Sequence, residues 1–340
     1  MKVSIMITCY NCEDCIDTAI ESVVSQDMPF EWELLIGDDG SSDNTIKHLE
    51  IWKKKFSENT KIFIMNRDEN EEKNGTRAAK NRANLLEHAT GEYLIFLDGD
   101  DQFLGKEKIK RQVELLDSPG YEKYSCIAHN ILANDVSENK KYPLTDTSLK
   151  TGIIDTKHYW MDLYFHTNTI LFRRCCVEKM LDSRYRDYLN DNFITYIILQ
   201  YGHIYYLPNI WAQYNLTGNG LWTGKKRTYG CFRNLILFDL EKDINPKFRY
   251  ISFVRHLYDF RYIFKNYDTE DKERIKKLVS NLEEPLFHYT LLLYKFRDEL
   301  TLAERIERLA IQIQVWTVFL IRRVSRINVY FKQFYGEKKK

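Results

Sequence analysis

Three carboxylates fall within four residues at Asp98-Gly99-Asp100-Asp101, directly after the apolar run Tyr93 to Leu97. Like charges this close repel one another, so the cluster calls for a counter-charge. A hard divalent cation, Mg²⁺ or Mn²⁺, supplies one through oxygen ligands and usually shares substrate phosphates. The plainer reading is a solvated acidic turn that caps the next helix. Asp38-Asp39-Gly40-Ser41-Ser42-Asp43 is similar: it can cap a helix starting near Asn44, or hydrogen-bond a nucleobase or ribose. Asn74 to Asn81 places Arg77 and Lys80 near a helix start, which suits phosphate or is an ordinary exposed turn. Asp191 opens a further helix, as a cap or as a general base facing the same cleft. Cys9, Cys12 and Cys15 are spaced by three, as in a metal clip. With no fourth ligand nearby and two of them in helix, they read as incidental thiols. Cys175 and Cys176 read as structural, and of the scattered histidines only His166 stands close to a strand that reaches the cleft.

These residues need elements to position them. Val3 to Thr8, Glu33 to Gly37, Lys61 to Met65 and Tyr93 to Leu97 are short and apolar on both faces, which fits strands of a parallel sheet. Ile16, Ala19, Ile20, Val23 and Val24 recur at helical spacing, with Asn11 as a cap and Asp14 three residues on. Ala78, Ala79, Ala83, Leu86 and Ala89 form a second stripe, stopped by Gly91. The alternation predicts a doubly wound α/β domain, in which ligands sit beyond the C-terminal strand ends. Thr8 to Asn11, residues 37–45 and residues 98–101 follow three of those strands and should converge. Farther on, Ser125 to Leu132, Thr169 to Phe172 and His203 to Leu207 read as strands and Phe193 to Leu199 as a helix. From about residue 228 the chain reads as mostly helical.

Over 340 residues, Lys+Arg is 50 and Asp+Glu 49, for a net charge of +1. This balance excludes the strong basic excess of a general nucleic-acid binder, so no nucleic-acid partner is expected. Seven cysteines at irregular spacing argue against a disulfide framework and for a reducing compartment. The N-terminus shows no secretory apolar stretch, and the run Val315 to Ile321 is too short to span a membrane. A cytoplasmic protein is expected. Near the C-terminus, Ile306, Leu309, Ile313, Trp316, Leu320, Val324, Ile327 and Phe331 recur at helical spacing, and Arg322, Arg323, Arg326 and Lys332 are interleaved with Trp316, Phe319, Tyr330 and Phe334. Such a helix packs on its own domain or lies on an anionic membrane surface, here the inner face of the plasma membrane.

Taken together, these segments resemble glycosyltransferase family 2, inverting enzymes of the GT-A fold. VSIMITCYNCEDCIDTAIESVVSQ carries Tyr10, Asn11, Ser22 and Gln26 in the family pattern. WELLIGDDGSSDNT, NGTRAAKNRA and ATGEYLIFLDGDD follow in the family order, and the likeness continues through FHTNTILFRRCCVEKM and NDNFITYIILQYGHIYYLPNIWAQYNLTGNGLW. The resemblance covers roughly residues 1 to 224. It implies a GT-A catalytic domain over 1–224, with a mostly parallel sheet flanked by helices, and a mostly helical region over 225–340.

The resemblance also implies roles. Thr8, Tyr10, Asn11 and Asp39 would hold a nucleotide-sugar donor, most often a UDP-sugar, with Lys80 near its phosphates. Asp100 would ligate Mn²⁺ or Mg²⁺, Asp98 would contact the ribose or the metal shell, and Asp191 would be the base. Trp222 would belong to a loop closing over the donor. Two positions depart from the pattern. Lys80 replaces the usual Arg and loses its planar fork, and Asn190 replaces the usual Glu. The acceptor implied is a glycan or lipid-linked glycan of a bacterial surface polysaccharide. A nucleotidyltransferase is disfavoured because TCYNCEDC has no glycine, and an inactive scaffold because DGDD and Asp191 are intact.

Overall fold

A computed structural model describes residues 1–56, 60–65, 76–144, 150–154 and 165–216, with residues 230, 231, 234, 237, 240, 241, 244, 245, 259, 301 and 302 beyond them. The chain divides into two compact units, one of residues 1–159 and 163–224 and one of residues 160–162 and 225–340.

The first unit opens with β1 (Val3–Cys9), α1 (Ile16–Val24), β2 (Trp32–Asp38), α2 (Thr45–Lys55), β3 (Thr60–Ile64), α3 (Thr76–His88) and β4 (Tyr93–Asp98). β1 is buried along its whole length, as double-sided apolarity requires. β1 pairs in parallel with β2 and β4, and β2 with β3, giving the order 3-2-1-4. The chain winds outward from β1 to β3, then crosses back to β4 on the other side of β1. A doubly wound sheet opens a crevice at that reversal. Register places the polar ends abreast: Thr8 faces Gly37 on one side and Asp98 on the other, and Cys9 faces Asp38. Ile16, Ala19, Ile20 and Val23 of α1 pack with Val3, Ile5 and Ile7 of β1 in one core.

The sheet then continues with β5 (Gln102–Phe103), α4 (Lys108–Asp117), β6 (Tyr124–Asp135), β7 (Lys140–Pro143), β8 (Gly152–Ile154), β9 (Leu171–Arg173), α5 (Val177–Leu181), α6 (Asp191–Ile198) and β10 (His203–Leu216). Its order runs on as β4-β9-β6-β10-β5. β9 is antiparallel to both neighbours, β6 and β10 are parallel, and β5 is antiparallel to β10.

Some local expectations change. Asn11 does not cap α1. It takes the left-handed conformation (φ 51°), which Asn tolerates, and its Oδ1 accepts from the Ser42 amide at 2.9 Å. Cys15 sits at the cap position with no side-chain capping bond. Gly91 is required by a close approach: a Cβ there would lie 2.4 Å from the Ser4 nitrogen. Thr169, expected to open a strand, instead ends the 3-10 turn Thr167–Thr169, and the strand starts at Leu171; β10, at 14 residues, is nearly three times the length expected.

In the second unit, residues 230, 231, 234, 237, 240, 241 and 244 are helical, and Asn234 Nδ2 donates to the Asp259 carboxylate at 3.2 Å. The basic C-terminal stripe and Trp222 lie outside the described residues. No helix among the described residues is long and apolar enough to cross a membrane.

Candidate active site

The strand ends build the floor. The Thr8 hydroxyl donates to Asp98 Oδ1 at 2.8 Å, binding β1 to β4. The Asp39 amide donates to the Cys9 carbonyl at 2.9 Å, and the Gly99 amide to the Thr8 carbonyl at 2.8 Å. Arg77, buried in the first turn of α3, pairs with Asp39 Oδ1 at 3.2 Å. Asn81, one turn on, donates to the Gly37 carbonyl at 2.7 Å. Tyr10 is exposed at the rim, and Asn11 ties that loop to the next through its amide on the Ser41 hydroxyl at 2.8 Å. Lys80 is half-buried on α3, and Arg77 rather than Lys80 makes the charged contact with Asp39.

One buried arginine joins the floor to the far wall. Arg82 Nη2 donates to both Asp98 oxygens, at 3.0 and 3.3 Å, and Nη1 donates to the Leu189 carbonyl at 3.1 Å. The same guanidinium lies 3.6 Å from Asp191 Oδ1. Asn190, not Asp191, caps α6: its Oδ1 accepts from the Phe193 amide at 3.0 Å. Asn190, where the resemblance implies Glu, thus serves as the helix cap, and the Asp191 carboxylate lies beside Arg82 and His166. His166 Nε2 lies 3.9 Å from Asp98, 3.7 Å from Asp101 and 3.9 Å from Asp191, and its ring packs on Tyr214.

The three neighbouring aspartates are not equivalent. Burial raises the Asp98 carboxyl, but Arg82, His166 and the Thr8 hydroxyl outweigh it and hold the group below its usual range. Asp101 is fully buried. Its Oδ2 accepts from Asn168 Nδ2 at 3.0 Å and its Oδ1 from the Asn215 amide at 2.9 Å. Burial, reinforced by Asp100 and Asp98, pushes it well above the usual range. Asp100 is half-buried, and among the described residues no ion pair reaches it. Burial and the Asp98 charge push its carboxyl up to about 6.

Asp98, Asp101 and His166 offer ligand atoms within 4.8 Å of one another. Both Asp101 oxygens already hold hydrogen bonds, so its place is structural. Asp100, a carboxylate raised for want of a counter-charge, suits a hard divalent cation, with Asp98 beside it. Arg82, Asn168 and Asn215 were not singled out from the sequence. For Arg82 the available signal was a charge inside the alanine stripe of α3, among Ala79, Ala83 and Leu86.

The model of glycosyl transferase family 2 matches residues 4–179, just over half of the chain. The chain belongs to that family. Within this glycosyltransferase family it is 39% identical, over 112 residues, to poly(ribitol-phosphate) beta-glucosyltransferase of Bacillus spizizenii, covering 33% of this chain and 16% of that protein. It is 38% identical, over 115 residues, to WfgD of Escherichia coli, a UDP-Glc:alpha-D-GlcNAc-diphosphoundecaprenol beta-1,3-glucosyltransferase, covering 34% of this chain and 40% of the relative. The matched segments thus span less than half of these relatives. The crystal structure of S. aureus TarS 1-349 in complex with UDP-GlcNAc superposes with a TM-score of 0.63 at 17% identity, over 86% of this chain and 88% of that one. The fold is the GT-A fold of these glycosyltransferases.

Proposed function

We propose that this protein is an inverting glycosyltransferase that moves a sugar from a UDP-sugar to a hydroxyl of a glycan or lipid-linked glycan. The observation that carries the reading is the Arg82 bridge, which sets Asp98 of the floor and Asp191 of the far wall against one cleft. Tyr10 at the rim, with Asp39, takes the nucleobase, and Asn11 fixes the turn that presents them. Asp98, kept ionised by Arg82, accepts hydrogen bonds from ribose hydroxyls, and Lys80 lies on the phosphate side. Asp100 and Asp98 would hold Mn²⁺ or Mg²⁺, which neutralises charge on the leaving diphosphate when bound. Asp191 takes the proton of the acceptor hydroxyl as that oxygen attacks the anomeric carbon. The nucleoside diphosphate departs from the opposite face, so a single displacement inverts the centre. The transition state is oxocarbenium-like.

The printed activity of WfgD, with its UDP-Glc donor and diphosphoundecaprenol-linked acceptor, supports the donor and acceptor classes. A lipid-linked acceptor would place the protein at the inner face of the plasma membrane, with the basic C-terminal segment around Arg322, Arg323 and Arg326 on anionic lipid. A panel of nucleotide sugars with Mn²⁺, scored for released nucleoside diphosphate, tests the reaction class. Release from one donor, lost in Asp100→Asn, is expected. Flotation of the full chain and of a 1–300 truncation with anionic vesicles tests the surface. Equal flotation of the two would remove the C-terminal segment as anchor.

A further inference from the structure

The three thiols of the first loop do not converge on one metal position among the described residues. Cys9 turns inward, its Sγ donating to the Gly37 carbonyl at 3.6 Å and to Asp38 at 3.7 Å. The other two are joined by a turn. The Cys15 amide donates to the Cys12 carbonyl at 3.0 Å, and the Ile16 amide to the same carbonyl at 2.8 Å. The Cys15 Sγ donates to that carbonyl too, at 3.5 Å, which holds the second thiol back against the first residue of the turn. We propose that Cys12 and Cys15 form a thiol–disulfide exchange site at the rim of the donor cleft, with a small-molecule disulfide as co-reactant.

The geometry meets the demands of the bond. A hydrogen-bonded turn holds its first and fourth Cα atoms within about 7 Å, and a disulfide spans about 4.4–6.8 Å between Cα atoms. A Cys-x-x-Cys step between a strand and the following helix is the arrangement that supports such exchange. Exposure orders the two sulfurs. Cys15 is half-buried, whereas Cys12 is buried. The neighbouring Cys12 thiol lowers that of Cys15 against the pull of burial, while Cys15 and burial raise that of Cys12. Cys15 is therefore the attacking thiolate and Cys12 the resolving thiol. Cys15 attacks the small disulfide, forming a mixed disulfide and releasing one thiolate. Cys12 gives up its proton and attacks the Cys15 sulfur, and the second small thiolate leaves. Two protein thiols are oxidised to one disulfide, and the co-reactant is reduced to two thiols.

The bond has a consequence that rests on the donor-site reading above. Cys12 Sγ donates to the Tyr10 carbonyl at 3.6 Å, and the Cys12 amide to the Thr45 hydroxyl at 2.7 Å. Forming the disulfide removes the first of these contacts from the turn that presents Tyr10. The loss of one such bond weakens UDP binding about three- to tenfold.

The test treats the full-length reduced protein with oxidised glutathione, then alkylates it under denaturing conditions and maps the peptides by mass. The peptide holding Cys9, Cys12 and Cys15 should lose two hydrogens, with only Cys9 alkylated, and dithiothreitol should reverse the change. In Cys12→Ser the mixed disulfide should stay trapped on Cys15 as a glutathione adduct. Alkylation of both Cys12 and Cys15 after this treatment, or a bond involving Cys9, overturns the exchange site. UDP titration of the reduced and oxidised forms reads the coupling, and equal affinities overturn it. A reduced protein that binds no UDP would instead refute the donor-site reading, while the alkylation pattern still decides the thiol chemistry.

Discussion

Strands β3, β2, β1 and β4 keep their polar residues at their ends, whereas β6 and β10 carry theirs along their length. In the parallel half, Thr8, Asp38 and Asp98 lie at the C-terminal ends of their strands, with Ser4 and Glu33 near the opposite ends and apolar residues between. In the mixed half, His129 and Asn130 lie buried within β6, and Gln213 within β10. Asn134 of β6 donates to Asn215 Oδ1 at 2.8 Å, and Asn215 Nδ2 to the Asp100 carbonyl at 2.7 Å. The first half makes a site from strand ends and the helix α3 beside them. The second holds that site by contacts between residues 81 and 115 positions apart. Under the proposed roles, the donor would lie at the sheet edge, and the proposed base Asp191 is tied to that edge through Arg82.

Breaking the joint between the halves should have the largest effect. Arg82→Met leaves Asp98 and Asp191 without their shared cation. It should cost about 3–5 kcal/mol by chemical denaturation, as the loss of one partner of a buried ion pair does. A loss below about 1 kcal/mol would mean that the bridge carries little. The next largest contrast is between neighbours. Asp101→Asn faces the donors of Asn168 and Asn215 with an amide that can accept fully from only one of them. A cost of about 1–3 kcal/mol is expected. Asp100→Asn should stay within about 0.5 kcal/mol of wild type yet lose metal-dependent UDP binding about 10- to 100-fold. If the two variants exchange these phenotypes, the roles of the two residues are reversed.

The smallest effect lies at the opposite end of the parallel half. Glu33 Oε1 accepts from the Ser4 hydroxyl and from the Thr90 amide and hydroxyl, at 2.7, 2.6 and 2.7 Å. Burial raises its carboxyl, but these bonds and Lys61 outweigh it and leave the folded value below the usual one. Its stabilisation is thus present above the unfolded value of about 4.3 and is lost as pH falls through the lower folded value. Glu33→Gln should cost about 1 kcal/mol at neutral pH and flatten the acid limb of the stability profile, with turnover unchanged. An unaltered acid limb would remove Glu33 from the account.

The same division sets what could be read from the sequence. The four parallel strands were legible because each is a continuous apolar run, and the crevice rule then pointed to Thr8, Asp39 and Asp98. The local signals at Asn11 and Gly91 misled for a shared reason. Both residues answer a neighbouring segment, the Ser42 amide and the Ser4 backbone, rather than a helix end. Arg82, Asn168 and Asn215 could not be found from spacing, since only the pairing of β10 with β5 and β6 brings residue 215 beside residues 100 and 101. Asp191 was legible as a helix opener, but the capping bond comes from Asn190 one residue before it.

Donor turnover by Asp191→Asn, measured beside its UDP affinity, decides whether Asp191 is the base. Wild-type UDP binding is expected, with nucleoside-diphosphate release in the presence of acceptor reduced by about 10²- to 10⁴-fold. A variant that turns over at the wild-type rate would contradict the assignment of Asp191 as the base.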